Sequence, residues 1–420
     1  MSKTLKGIKV KLKPNNKQKA LFIQAVGTRR FAYNWVLDKQ MKAFINKEKL
    51  KSANELCREL VQLKNTDEYS WLKDISCDIP KQAIKDCCVA YERFFKEQKK
   101  PNYVKFTKKT VKKCQLQHRA PTFYDMNGHP KFKKKGKCLD SFHNDCMHVQ
   151  FTSDKVFIAK IGWVKLAQSN KFPLGKSGKD FKICNAKVST DGEDWYFSGS
   201  FEVASVNKLT ANKPKTNYGI GIDLGIKDLA ICSDNFTYKN INKSKRVKQL
   251  EKRKRRIQRR ISKKYLLNQQ GDKYIKTNNI LKYEYLLLKI NHKLTNIRHN
   301  YIHQVTSNII KRNPIFICIE DLNISGMMKN KHLSKAIQDQ NLYEFRRQIT
   351  YKCDWNNIDL VIADRYYPSS KTCIKCGYIN KDLKLKHRTY KCPICGNVID
   401  RDYQASLNLK QYGERYLNLI

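Results

Sequence analysis

The sequence has no long hydrophobic run. No stretch approaches the roughly 18 apolar residues that a membrane-spanning helix needs, and the opening MSKTLKGIKVKLK lacks the hydrophobic region of a secretory signal. Acids are scarce as well: 37 Asp and Glu stand against 85 Lys and Arg, a formal net charge of +48 over 420 residues. Self-repulsion of that size gains little without a polyanionic partner, of which nucleic acid is the first candidate and a membrane surface the second. Internal repeats are absent. Apart from four discussed below, the 15 cysteines show no paired spacing. Cys57, Cys77, Cys87, Cys88 and Cys114 therefore read as free thiols of a reducing compartment. The expected location is the cytoplasm of a bacterium or archaeon.

A chain of this length holds two to four domains on ordinary domain sizes. Its first segment reads as a strand, because Ile8, Val10 and Leu12 alternate with Lys9, Lys11 and Lys13. Pro14 and then Asn15 or Asn16 open helices. Tyr33, Leu37, Met41 and Phe44 share one helical face, and Ala83, Cys87, Ala90 and Phe94 share another, so residues 15–98 read as largely helical. HPKFKKKGK, at 129–137, is too basic to bury. From Val149 the pattern turns to short strands, HVQF, KVFIAK, WVKLA, then KICNAKVS and WYFSGSFEVA joined at Asp191-Gly192, a hairpin signal. A helical block thus interrupts a β-rich unit. Residues 205–217, polar and carrying Pro214, read as a linker. Farther on, Val247, Leu250, Ile257 and Ile261 make one helical stripe. Ile290, Leu294, Ile297, Tyr301, Val305 and Ile309 make a second, which predicts a packed helix pair with a basic outer face.

YGIGIDLGIKDLA, at 218–230, places an aspartate in an otherwise apolar strand. Alternation puts Tyr218, Ile220, Ile222 and Leu224 on one face and Gly219, Gly221, Asp223 and Gly225 on the other. The glycines predict that a ligand, a metal or a nucleic-acid strand comes close to Asp223. A turn aspartate ahead of a hairpin is the plainer alternative. PIFICIEDL supplies a second acid at the carboxyl end of a strand, where sites of open α/β sheets gather, with Glu320 and Asp321 both eligible. VIDRDYQASLNL supplies a third at a helix start, Asp400 or Asp402, either of which also suits an N-cap. Three such acids are the minimum set for a pair of divalent cations. Carboxylate oxygens suit hard Mg2+, and a metal pair activates water on one side of a phosphate and stabilises the leaving oxygen on the other.

Cys373, Cys376, Cys392 and Cys395 form two C-x2-C knuckles at the spacing of a structural zinc site, each followed by a glycine, CIKCG and CPICG. Four thiolates close the coordination sphere, so one Zn2+ is expected to hold the fold and to do no chemistry. The loop between them, KDLKLKHRTYK, is positioned to lie along a phosphate backbone.

With these segments in hand, the chain resembles TnpB, the transposon-encoded nuclease family related to type V CRISPR effectors. GIDLGIKDLA, IEDLNISGMMKN, YYPSSKTCIKCG, KCPICG and DRDYQASLNL carry the resemblance in the family's order, and GTRRFAYN (27–34) and HPKFKKKGKCLDSF (129–142) look like its N-terminal signatures. The resemblance implies an α/β multidomain protein. A β-barrel wedge domain (1–13 and 114–212) would be interrupted by a helical recognition lobe (14–113). An RNase H-like RuvC nuclease domain (216–366 and 398–420) would follow, with an inserted zinc ribbon (367–397). It further implies Asp223, Glu320 and Asp402 as the catalytic acids holding two Mg2+ or Mn2+ ions, and RNA-guided cleavage of DNA. The implied partners are a guide RNA from the transposon end and double-stranded target DNA with an adjacent motif, with no membrane; binding DNA would associate the protein with the nucleoid. Gln404 and Ser406 depart from the asparagine and alanine usual in the family. Two other functions fit the same fold: an RNA-guided repressor that does not cut, and a transposase or resolvase acting without RNA.

Overall fold

The computed structural model describes residues 3–135, 140–204, 218–271, 273–384 and 387–419. The expected linker at 205–217 lies outside them, as do parts of HPKFKKKGKCLDSF and KDLKLKHRTYK. The chain divides into two compact units, Met1–Ala204 and Ser205–Ile420. Among the described residues no helix is long and apolar enough to cross a membrane, and all fourteen cysteines are free.

The first unit runs β1 (Lys3–Lys13), α1 (Asn16–Ile45), α2 (Ala53–Leu63), α3 (Asp78–Gln98) and α4 (Lys108–Leu116), then β2 (Ser141–His143) and β3 (Gln150–Phe151). β4 (Lys155–Ile158), β5 (Gly162–Leu166), β6 (Gly175–Lys176), β7 (Lys182–Thr190) and β8 (Trp195–Ala204) complete it. α1 starts where the sequence offers a cap: the Asn15 side chain accepts the Gln18 N–H at 2.8 Å and the Gln18 side chain accepts the Asn15 N–H at 3.1 Å. The strands form one eight-stranded sheet in the order β2-β7-β8-β1-β5-β4-β3-β6. β1 thus joins a sheet whose other strands follow the helices, and Val10 and Leu12 point into its core. Three strands separate β3 from β8 in that order, yet the rings of Phe151 and Phe197 lie 5.5 Å apart. A flat sheet at about 4.8 Å per strand would hold them about 19 Å apart. The sheet is therefore rolled around its own aromatic core; among the described residues no ladder joins β2 to β6, so it is not hydrogen-bonded shut.

The helices bury a separate core of Ala32, Tyr33, Val36, Leu37, Ala83, Cys87 and Phe94, with Phe123 and Met126 packed against it. Strand structure resumes only at Ser141, later than residue 114, because α4 comes first and the aromatic segment after it packs Phe123 on Phe94 of α3. One expectation fails here. HPKFKKKGK does not lie wholly outside: His129 is 5% exposed, ringed edge-on by Phe94, Phe123 and Tyr91. The lysines that follow set its composition, but its first residues are apolar enough to pack.

The second unit begins with β9 (Ile220–Leu224), β10 (Asp228–Cys232), β11 (Thr237–Lys239) and α5 (Lys245–Leu267). A small ribbon of β12 (Gln269–Gln270) and β13 (Lys273–Tyr274) leads to α6 (Asn278–Lys311), β14 (Phe316–Glu320), α7 (Ile324–Met327), α8 (Ser334–Gln340), α9 (Leu342–Asn356) and β15 (Asp359–Ala363). β16 (Thr389–Lys391), β17 (Val398–Asp400) and α10 (Arg401–Tyr416) close the chain. The central sheet has the order β11-β10-β9-β14-β15, with β14 parallel to both β9 and β15. On one face Ile220, Ile222, Ile317 and Ile319 meet Ile302, Val305 and Ile309 of α6 and Phe345 and Ile349 of α9. On the other Phe316, Cys318, Val361 and Ala363 meet Leu409 of α10. Each of the larger side chains contributes about 1.5–3 kcal/mol when buried.

α5 and α6 pack as expected through Val247, Ile257, Ile290 and Leu294. The second stripe divides, however: its amino-terminal half faces α5 and its later residues, Val305 and Ile309, cover the sheet. Glu251, the acid within the basic run, turns inward to Arg298 at 3.1 Å. Lys252, Arg253, Arg255, Arg256, Arg259 and Arg260 stay exposed.

Candidate active site and thiolate cluster

Side-chain alternation in the central sheet sorts the acids. Phe316 and Cys318 face α10, so Glu320 at the end of β14 faces it too. On β9, Ile220 and Ile222 face α6 and α9, so Gly221 and Asp223 look toward α10. Both acids thus lie near the carboxyl ends of adjacent parallel strands, and Asp402 sits in the first turn of the helix that covers them. The glycine face has a different occupant from the one its pattern predicts. A Cβ on Gly221 would come within 2.0 Å of the Ser406 carbonyl oxygen, and one on Gly219 within 2.0 Å of the Phe316 ring. The close approach is made by the main chain of α10 and a core aromatic, because the helix must settle on the sheet to bring its first turn beside Asp223.

The two ambiguous positions have distinct environments. Asp321 accepts from Arg346 and Arg365, each at 2.6 Å, and these guanidiniums hold its carboxyl below the usual range. Asp400 caps α10, accepting the N–H groups of Asp402 and Tyr403 at 3.0 Å. Glu320 accepts from the Ser369 hydroxyl. Asp402 takes the Arg401 guanidinium at 2.9 Å and has Arg388 at 3.5 Å. Asp223 keeps part of its surface, yet burial of its carboxyl, then the charges of Glu320 and Asp402, push its proton affinity far up; Arg401 opposes them. Burial raises Glu320 as well, against the Ser369 hydrogen bond.

The three carboxylates are not gathered within 4.8 Å of one another, as the four thiols are. Like charges repel, and two of the three are turned to their own donors. A set of carboxylates on one face, one of them desolvated and short of positive charge, is nonetheless the donor chemistry that hard divalent cations fit. Ser369, Arg388, Arg401 and Asn408 stand around these acids without a sequence signature of their own. The Asn408 amide donates to the Ser369 and Thr372 carbonyls at 2.6 and 2.7 Å, tying α10 to the segment entering the first knuckle. No local pattern announces these contacts; an asparagine in a helix interior was the available signal.

Cys373, Cys376, Cys392 and Cys395 bring their sulfurs within 4.8 Å of one another, with Cys373–Cys395 at 3.6 Å and Cys376–Cys392 at 3.5 Å. Gly377 and Gly396, after the second cysteine of each knuckle, have φ of 75° and 69°, a region costly for other residues. Burial pushes the Cys392 thiol up, but the N–H groups of Cys395 and Ile394 outweigh it and bring it down to about 6. The same balance, with the N–H groups of Cys376 and Lys375, holds Cys373 below its ordinary value. A thiolate tetrad of this geometry fits one Zn2+. Tyr390 fills the small core beneath it.

Three family models match the chain: "Cas12f1-like, TNB domain" over residues 343–409, "Probable transposase" over 200–331 and "Helix-turn-helix domain" over 1–49. In the last stretch the described residues form β1 and the whole of one long helix, α1. Among curated relatives, "Putative RNA-guided DNA endonuclease InsQ" of Escherichia coli is 25% identical, over 99% of this chain and 94% of its own. "Putative RNA-guided DNA endonuclease" of Streptomyces pristinaespiralis is 25% identical over 98% and 90%. The solved structure "Cryo-EM structure of the Cas12f1-sgRNA-target DNA complex" aligns over 97% of this chain and 99% of that one, at 14% identity and a TM-score of 0.49.

Proposed function

The chain belongs to the TnpB family, and from that premise we propose that it is an RNA-guided, metal-dependent DNA endonuclease encoded by a transposon. The observation that carries this reading is the placement of Asp223, Glu320 and Asp402 on one face of the central sheet, beneath and within the first turn of α10. These three would hold two Mg2+ or Mn2+ ions, which would supply a nucleophilic water and stabilise the leaving oxygen of a phosphodiester. The protein's own part is positional. Ser369 orients Glu320, Arg401 and Arg388 neutralise Asp402, and Asp400 caps the helix that carries it. Asp223, buried and beside the charges of Glu320 and Asp402, is the carboxylate that a bound cation would neutralise most directly.

In this reading the second unit is an RNase H-like RuvC domain with an inserted zinc ribbon. The rolled sheet and helices of the first unit are its wedge and recognition lobe. Guide RNA from the transposon end pairs with the target strand, while the protein reads a short adjacent motif on the duplex. The setting is the cytoplasm of a bacterium or archaeon, at the nucleoid when DNA is bound. The test uses the full chain expressed with its flanking RNA-coding DNA. Asp223→Ala, Glu320→Ala and Asp402→Ala each abolish plasmid cutting, by at least about a hundredfold as for loss of a main catalytic group, and leave RNA binding intact. Full cutting by any variant refutes the assignment. Cutting by wild-type protein free of RNA refutes guidance.

A further inference from the structure

GTRRFAYN and the described ends of HPKFKKKGKCLDSF, far apart in sequence, are built into one place that the carboxylate site does not use. The Asn34 amide donates to the Lys133 carbonyl at 3.0 Å and accepts the Lys133 N–H at 2.7 Å, fixing the second segment to α1. One turn earlier, Arg29 donates to the carbonyl and hydroxyl oxygens of Ser141 at 3.0 and 2.9 Å, and Arg30 pairs with Asp140 at 2.9 Å. Between these contacts lies a cavity of about 150 Å³ lined by Arg29, Arg30, Tyr33, Lys133, Ser141 and Lys187.

Its charge is unbalanced. Arg29 has Asp86 at 3.2 Å and Arg30 has Asp140. Among the described residues no carboxylate lies within 4 Å of Lys133 or Lys187, and the Lys133 ammonium rests instead over the Tyr33 ring, 4.6 Å from its centre. Burial, and then the charge of Arg29, depress the proton affinity of Lys187, with Asp86 opposing them; four cations share the two acids. The guanidinium forks suit the oxygens of a phosphate. At about 30 Å³ per water, the space takes roughly five heavy atoms, the size of one phosphate group.

We infer that this cavity of the first unit seats one backbone phosphate of the nucleic acid the protein carries, held by Arg29, Arg30, Lys133 and Lys187. The inference rests on the proposed function in assuming that nucleic acid binds at all. Two sources offer the same group, the guide RNA and the target DNA, and binding measurements separate them. The test variant is Lys133→Gln with Lys187→Gln, since removing two cations that pair with no acid strands no buried carboxylate; Lys133→Arg with Lys187→Arg restores charge as the folding control. Affinity of the full chain for its RNA, and of the RNA-loaded chain for DNA, is measured over a range of salt.

The glutamine variant loses about tenfold in one of the two affinities, and its salt slope falls by about 0.7 for single-stranded RNA or 0.9 for duplex DNA, the value for one phosphate. The arginine variant recovers both. Loss in the first measurement assigns the phosphate to RNA, and loss in the second to DNA. If wild type binds and the glutamine variant matches it in both, the pocket is overturned while the proposed function stands. If wild type binds neither nucleic acid, both fall.

Discussion

Lys352 shows what a single buried charge does in this fold. It is 8% exposed, and its ammonium donates to the His303 carbonyl at 3.1 Å, the Thr306 hydroxyl at 2.6 Å and the Ser307 hydroxyl at 2.9 Å. Burial with no carboxylate partner brings its pKa down to about 8, from 10.5. The unfolded chain therefore binds this proton more tightly than the folded one across that interval. Stability gained from this residue rises as pH climbs from about 8 toward 10.5, at no more than about 1.4 kcal/mol per unit. Lys352→Met removes that slope, which denaturant unfolding at pH 7.5, 9 and 10 will register; parallel curves for wild type and variant contradict it. Gln404 is a second buried polar group, fully enclosed with neither amide atom paired among the described residues. Such a group costs about 1–3 kcal/mol. Ser406 fits more easily, because its hydroxyl turns back to the Tyr403 carbonyl at 2.7 Å. The choices between Glu320 and Asp321, and between Asp400 and Asp402, also belong to this scale. Alternation along one strand leaves them open; what separates them in the structure is Arg346 and Arg365 arriving from other elements, and a cap that forms only once α10 exists.

Among elements, the thiolate knuckles were the most legible, since their chemistry is fixed by spacing over a short span of chain. Long helices came next, because a stripe repeated over several turns leaves little doubt about period. β2 and β6 were not legible at all: strands of three and two residues carry no period, and they exist because neighbours in the rolled sheet supply their hydrogen bonds. The knuckles also reach beyond themselves. Asn408 binds α10 to Ser369 and Thr372, and Ser369 holds Glu320. Wild-type protein is expected to carry one zinc per chain by elemental analysis. Cys395→Ser loses it, lowers the melting temperature and cuts at least about tenfold more slowly, with RNA binding kept. A zinc-free variant that melts and cuts like wild type would disprove both the site and its coupling to α10.

At the scale of the whole molecule, the charge of +48 is the dominant quantity. Ten exposed cations on α5 stand without a carboxylate within 4 Å among the described residues, while Glu251 is turned inward, so the excess is concentrated where a backbone of phosphates is able to lie. RNA affinity is predicted to fall by about a thousandfold or more between 50 and 200 mM salt, as for six or more phosphate contacts. A flat salt profile in a filter-binding or anisotropy titration would mean that this charge serves some other purpose.

The sequence by itself determined the excess of positive charge, the four-cysteine cluster, the main helices and the presence of acids at strand and helix ends, because charge, spacing and period are local properties. Tertiary structure alone decided that the glycine face of β9 receives a helix, that Asp223, Glu320 and Asp402 share one face, and that two distant basic segments enclose a cavity. Those outcomes depend on which surfaces meet, and the energy that selects them comes from burial between elements far apart in the chain.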